Sequence, residues 1–201
     1  MKTMPPMLFL MLLATAAFAQ TTAEEFNDRA FLKAISGNID DTDSAIEDTN
    51  MAIKLKPDFH DAYNQRANLK LAKGDLDGAF ADYSKAIEFG PGVANYYGNR
   101  AQVREKKNDI SGALADSDKA IALAPKNHHN YYDRGNIRLH SKDYAGAILD
   151  FNKTLALKPD YFAVRKSRAE AYRGLGKSKL ADADEKIFEE ESQKFFDKLK
   201  L

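Results

Sequence analysis

Residues Ala62–Pro91, AYNQRANLKLAKGDLDGAFADYSKAIEFGP, form the unit from which the rest of the chain can be read. Its Tyr63 is followed by Tyr97 and Tyr131 at intervals of 34 residues, and Pro57, Pro91, Pro125 and Pro159 keep the same interval. A fixed period of this size marks units that cannot bury their apolar faces alone and must stack to do so. It predicts an array of helix pairs.

Repeats begin at His60, Ala94 and His128, each with a helix of about fourteen residues, a short turn and a second helix of similar length. In the turns, Gly74-Asp75, Asn108-Asp109 and Lys142-Asp143 precede Leu76, Ile110 and Tyr144, so each Asp can cap the helix that follows. Each second helix must stop before Pro91, Pro125 or Pro159, because proline lacks the amide donor and restricts the residue ahead of it. Upstream, Ala23–Gly37 aligns without a gap on His60–Gly74, matching Phe26 to Tyr63, Asn27 to Asn64, Arg29 to Arg66 and Ala30 to Ala67. This is a first repeat. Its second helix is expected from about Thr42 to Leu55, with three inserted residues in the turn near Asn38–Asp41. Downstream, a fifth unit starts at Phe162 and lacks the terminal proline. There Leu180–Leu201 reads as a longer helix that caps the exposed end of the array. The alternative is a docking or dimer surface built on Phe188, Phe195 and Phe196. The repeats thus run over about 23–59, 60–93, 94–127, 128–161 and 162–201.

Two small residues recur in every unit, Ala30 with Ala45, Ala67 with Ala79, Ala101 with Ala113, Gly135 with Ala147 and Ala169 with Ala181. Small side chains let two helices approach closely. An arginine and an aspartate recur as regularly, Arg29 with Asp48, Arg66 with Asp82, Arg100 with Asp116, Arg134 with Asp150 and Arg168 with Asp184. We expect each pair to join a first helix to a second helix, in the same or a neighbouring repeat, through charge-assisted hydrogen bonds. The other reading is a basic ladder for an anionic ligand, which partnered arginines would not leave free.

Small residues, aromatics and prolines at these spacings over a 34-residue period resemble the tetratricopeptide repeat family, from Ala23 to about Leu201. There are departures. Arg stands where the family pattern often has Leu, Thr49 and Ser117 replace the second-helix aromatic present as Tyr83 and Phe151, and Arg165 replaces the first-helix aromatic. The resemblance implies an all-α fold, a right-handed α-solenoid of helix-turn-helix repeats whose first helices line a concave groove. Carried onto this chain, the peptide-binding groove would present Asn27, Asn64, Asn68, Asn95, Gln102, His129, Tyr132, Asn136, Lys166 and Arg173, with Phe31, Asp61 and Glu170 beside them. Asn and Gln both donate and accept, as an extended peptide backbone requires. An ordinary solvated helix face fits the same residues. The basic clamp by which some members hold a C-terminal carboxylate is not evident, since no Lys accompanies Asn27 or Asn64.

Composition bounds the function. Thirty basic and thirty acidic side chains cancel, leaving no basic excess for nucleic acid or anionic lipid. No Cys is present, which excludes disulfides, thiolate metal sites and a Cys nucleophile. His129 and His140 could share a helix face, but eleven residues separate them by about 16 Å, too far for one ion. No Gly-rich phosphate loop, nucleophile elbow or H-E-x-x-H pattern occurs. The N-terminus reads as a signal peptide over 1–19: Lys2, an apolar stretch from Met7, and a small-x-small site at Ala17-Phe18-Ala19. That stretch is shorter than the ~20 residues a membrane span needs. The mature chain, expected from Gln20, would be soluble, periplasmic or secreted, with no membrane insertion. These readings converge on a non-enzymatic adaptor or scaffold in the cell envelope, without cofactor or metal, holding a protein or peptide segment. The alternative is a structural assembly subunit that forms oligomers or docks through its C-terminal aromatic helix.

Overall fold

A computed structural model describes residues 21–36 and 40–199, and every structural statement below concerns those residues. The expected signal peptide and, from the insertion placed near Asn38–Asp41, residues 38 and 39 lie outside them. Ten helices follow in five pairs: α1 (Ala23–Ile35) with α2 (Asp40–Leu55), α3 (His60–Ala72) with α4 (Leu76–Phe89), α5 (Ala94–Lys106) with α6 (Ile110–Leu123), α7 (His128–His140) with α8 (Tyr144–Leu157), and α9 (Ala163–Gly174) with α10 (Ser178–Leu199). Each first helix packs against its own partner and, after α1, against the second helix of the repeat before it. The fold is an all-α solenoid. The second helix of the first repeat starts at Asp40, two residues ahead of the expected Thr42.

The turns work as the sequence implies, with one addition. Within repeats two to five the chain passes through a left-handed residue, Gly74 (φ 82°), Asn108 (62°), Lys142 (66°) or Gly176 (69°). This reversal lets the amide of Asp75, Asp109, Asp143 or Lys177 reach the carbonyl five residues back, which satisfies an orphan acceptor at the end of each first helix. Asp75, Asp109 and Asp143 then cap the second helices, accepting from Gly78, Gly112 and Gly146 amides at 2.9, 3.0 and 3.0 Å. The first helix of the array is closed differently. Thr22 and Glu25 form a reciprocal capping box, at 3.1 and 2.8 Å.

The small residues meet where expected. Ala67 and Ala79 share a cluster with Tyr83 and Val103, and Ala101 and Ala113 share one with Ile137. In the fourth repeat Gly135 has lost even its methyl group. A Cβ there would lie 2.6 Å from Phe151 Cε1, so the larger ring fills that space. Where Ser117 and Thr49 stand in place of an aromatic, their buried hydroxyls donate back to the carbonyls of Ala113 (2.9 Å) and Ile46 (2.8 Å). The recurring tyrosines also do more than fill space. Tyr63, Tyr97 and Tyr131 each donate to the carbonyl of the proline six residues earlier, at 3.2 Å, and so tie the linker between repeats to the helix that follows it.

All five Arg–Asp pairs form, within their own repeat. Arg66, Arg100, Arg134 and Arg168 fork onto Asp82, Asp116, Asp150 and Asp184 through Nε at 2.8, 2.8, 3.0 and 2.7 Å and through Nη2 at 2.6, 2.7, 2.6 and 2.6 Å. Arg29 does the same to Asp48, with Nε at 2.8 Å. The remaining Nη1 of Arg66, Arg100, Arg134 and Arg168 donates to Asn50, Ser84, Asp118 and Asn152 on the preceding repeat, at 2.6, 3.2, 2.5 and 2.6 Å. One guanidinium therefore joins three helices. A second cation sits near each of the five aspartates: Lys33, Lys70 and Arg138 lie 2.7, 2.7 and 2.8 Å from Asp48, Asp82 and Asp150, Arg104 lies 3.4 Å from Asp116, and Arg165 lies 3.8 Å from Asp184. The five aspartates are buried, 2% to 5% exposed, so each carboxylate left water only because donors on the first helix replace it.

The last helix, α10, has 22 residues and packs on α9 through Ala181 and Asp184. Beyond that seat Phe188 and Phe195 lean on Phe162, with ring centroids 5.9 and 5.8 Å apart. No helix among the described residues is long and apolar enough to cross a membrane.

Candidate functional site

The first helices α1, α3, α5, α7 and α9 stand side by side, and their polar residues meet across the seams between repeats. Gln65 Nε2 donates to the backbone carbonyl of Asn27 at 3.1 Å, and Asn99 Nδ2 donates to Asn64 Oδ1 at 3.0 Å. Asn68 Oδ1 accepts from the Tyr83 hydroxyl at 2.5 Å. The side-chain acceptors of Asn64 and Asn68, expected to face a ligand, therefore already serve the scaffold. Asn27 is different, since its buried Oδ1 makes no hydrogen bond to any described residue.

Further along, a cleft of about 420 Å³ opens between α5, α7 and α9. Gln102 and Glu105 line it from α5, Asp133, Asn136 and His140 from α7, and Ser167 and Glu170 from α9. His140 Nδ1 lies 2.6 Å from Glu105 Oε1, so one of the three carboxylates has a partner across the seam. Asp133 makes no hydrogen bond or ion pair to a described residue. Burial pushes its carboxyl above the usual range and Glu105 adds to the shift, while His129 opposes it.

Of the ten expected groove residues, only Gln102 and Asn136 line this cleft. His129 and Tyr132 belong to an aromatic cluster instead: Tyr161 lies 5.5 Å from His129 and 5.3 Å from Tyr132 and His128, and Tyr132 also meets Phe151 at 6.0 Å. Burial, helped by His129, holds the His128 imidazole below its ordinary value. Arg173 turns away toward α10 and forks onto Glu185, with Nη2 to Oε2 at 2.5 Å. Asn95 and Lys166 are exposed and outside the cleft. Asp61 accepts from the Tyr96 hydroxyl of the next repeat, which also meets His60 Nδ1 at 2.7 Å. The Tyr96 phenol is raised by burial and then by this bond to Asp61.

Sequence reading missed Glu105, Asp133, His140 and Ser167. A signal existed: Gln65, Asn99, Asp133 and Ser167 recur at 34 residues, each polar, and three of them directly follow the expected groove residues Asn64, Tyr132 and Lys166. Their use was hidden because what this position meets, the preceding first helix for Gln65 and Asn99 and the cleft for Asp133 and Ser167, is set by the stacking of the repeats. Among the described residues no group of three His, Asp or Glu side chains could hold a metal ion.

Two sequence profiles of the tetratricopeptide repeat match the chain, one over residues 60–91 and one over 99–162. No curated protein matches it. Among solved structures, PilW, described as a widely conserved type IV pilus biogenesis factor, is 19% identical, with 87% of this chain and 80% of that one covered and a TM-score of 0.78. MamA from Desulfovibrio magneticus RS-1 is 15% identical over 86% of this chain and 96% of its own, with a TM-score of 0.76. YrrB, described as a TPR protein with an unusual peptide-binding site, is 15% identical over 86% and 88%, with a TM-score of 0.68. At these identities the likeness is one of fold. The profiles fall on the repeats that carry the 34-residue period, the small pairs and the closing prolines, and over those residues the chain is a tetratricopeptide repeat protein.

Proposed function

We propose that this protein is a binding module without chemistry of its own, exported to the cell envelope, which holds a peptide or protein segment on the face formed by its first helices. The observation that carries this is the cleft between α5, α7 and α9, which Gln102 and Asn136 line from neighbouring first helices. Side-chain amides can pair with both the donors and the acceptors of a peptide main chain. YrrB's described peptide-binding site and PilW's description as a pilus biogenesis factor support a binding role and an envelope setting. The test is selection of a phage-displayed library of linear peptides on the full chain. Peptides retained by the native protein and lost on the Gln102→Ala/Asn136→Ala variant are expected, with unfolding midpoints unchanged. Equal retention by that variant rejects the cleft. Export is tested separately, by the N-terminal residue of protein recovered from secreting cells, expected to be Gln20.

A second reading rests on α10. Phe195, Phe196 and Leu199 are 48%, 57% and 66% exposed, an apolar surface that association through this helix would cover. Sedimentation at high concentration decides it: a monomer throughout rejects assembly through α10.

A further inference from the structure

The register of the first helices shows what is unusual about the cleft. The seam between α3 and α5 is closed by Asn99 on Asn64, 35 residues apart. The same step from α5 to α7 pairs Gly98 with Asp133. Gly98 has no side chain to offer, and a Cβ built on it would meet nothing within 4 Å, so the place of the missing amide is open space. Asp133 is left half-buried on the cleft wall without a hydrogen-bond donor. His129, one turn back on the same helix, offsets its charge only when protonated, and no cation on the cleft wall pairs with it. Glu105 and Glu170 carry the same sign, His140 is engaged by Glu105, and Lys106 is the single lysine or arginine on the lining.

An acidic ligand would meet repulsion from three carboxylates. An apolar side chain would cover Asp133 and leave a desolvated acceptor unpaired, which is costly. A cation with several donors removes both penalties. Its remaining N–H groups could reach the amide oxygens of Gln102 and Asn136 and the hydroxyl of Ser167, and 420 Å³ falls in the size range of small-ligand sites. We propose that the cleft takes a lysine or arginine side chain of the bound segment, its charged group set against Asp133 in the gap left by Gly98. This rests on the reading of the cleft as a peptide site and names what that site selects.

The same peptide selection tests it, read for composition. Among clones that depend on Gln102 and Asn136, Lys or Arg should be enriched over the unselected library. Selection on Asp133→Asn should lose that enrichment, and so should Gly98→Asn, which puts an amide back into the gap. Glu189→Gln, an exposed charge on α10, should keep it. For a single recovered peptide, replacing its Lys or Arg with Ala should weaken binding to the native chain about tenfold or more and leave binding to Asp133→Asn little changed. Cleft-dependent peptides without basic enrichment, with acidic enrichment, or with enrichment that survives in Asp133→Asn overturn the proposal and spare the peptide site. If no clone depends on the cleft, both fail.

Discussion

Gly135 and Gly98 both sit inside first helices, yet a methyl group would act in opposite directions at the two. At Gly135 it would meet the Phe151 ring at 2.6 Å, in a core that cannot give way without moving α8. Gly135→Ala should cost about 1 to 3 kcal/mol through overpacking. At Gly98 the methyl group meets open space, and the alanine relieves the chain of the entropy that glycine loses in a helix. Gly98→Ala should stabilise by roughly 0.5 to 1 kcal/mol. Urea unfolding of both variants checks the pair, and a destabilised Gly98→Ala would mean the gap is filled. The sequence placed Gly135 in the series of small residues, because its neighbours in register are Ala67 and Ala101. It gave no such reason for Gly98, whose role depends on what α7 places opposite it.

Among helices, the repeated guanidinium is the joint that sets the stack. Arg100 bridges Asp116 on its own second helix and Ser84 on the helix before, while Arg104 approaches Asp116 from the next turn of α5. Asp116→Ala leaves two cations facing an emptied site and should cost about 3 kcal/mol, the lower end for a broken buried pair because Arg100 is partly exposed. Arg100→Ala should cost less, since Arg104 still faces the buried carboxylate. The double variant should lose less than the sum of the two. Chemical denaturation of the three proteins measures the coupling, and strict additivity would show that these side chains do not act as one joint. The pairing itself was legible from the constant spacing of Arg and Asp. The third helix was not, because Asn50, Ser84, Asp118 and Asn152 share a position but no chemistry beyond an oxygen acceptor, and no single residue type betrays them.

For the whole molecule, two carboxylates pull the pH dependence of stability in opposite senses. The hydrogen bond from Arg29, with help from Lys33, holds Asp48 below its ordinary range. Its stabilisation is present above the unfolded value of about 4 and is lost as pH falls through the lower folded value. Asp133 is raised by burial, so the folded state holds its proton more tightly than the unfolded chain does. Stability from this group is greatest in acid and falls as pH rises through its raised value. That carboxyl faces His129 on its own helix, Glu105, Lys106 and His140 around the cleft, and Glu170 on α9. Asp133→Asn should therefore raise the unfolding midpoint at neutral pH, with the gain vanishing below about pH 4. Asp48→Asn should lower the midpoint at neutral pH and flatten its fall in acid. Thermal melts across that range measure both, and an Asp133→Asn variant less stable than the native chain at pH 7 would mean that its carboxylate has a donor in solution.

The sequence by itself determined the period, the helix pairs, the closing prolines, the capping aspartates and the five Arg–Asp pairs. Each of these depends on contacts within about one repeat, where fixed spacing along the chain maps onto fixed spacing in space. It also marked the first helices as the polar face. Only the tertiary structure decided which of those polar residues are spent. Stacking brings residues 35 apart to the same seam, where Asn99 satisfies Asn64 while Gly98 leaves Asp133 without a donor. Arg173 is likewise drawn to Glu185 by the position of α10. A side chain's freedom to bind depends on what the neighbouring repeat places against it, and that is fixed by the angle at which rigid helix pairs stack.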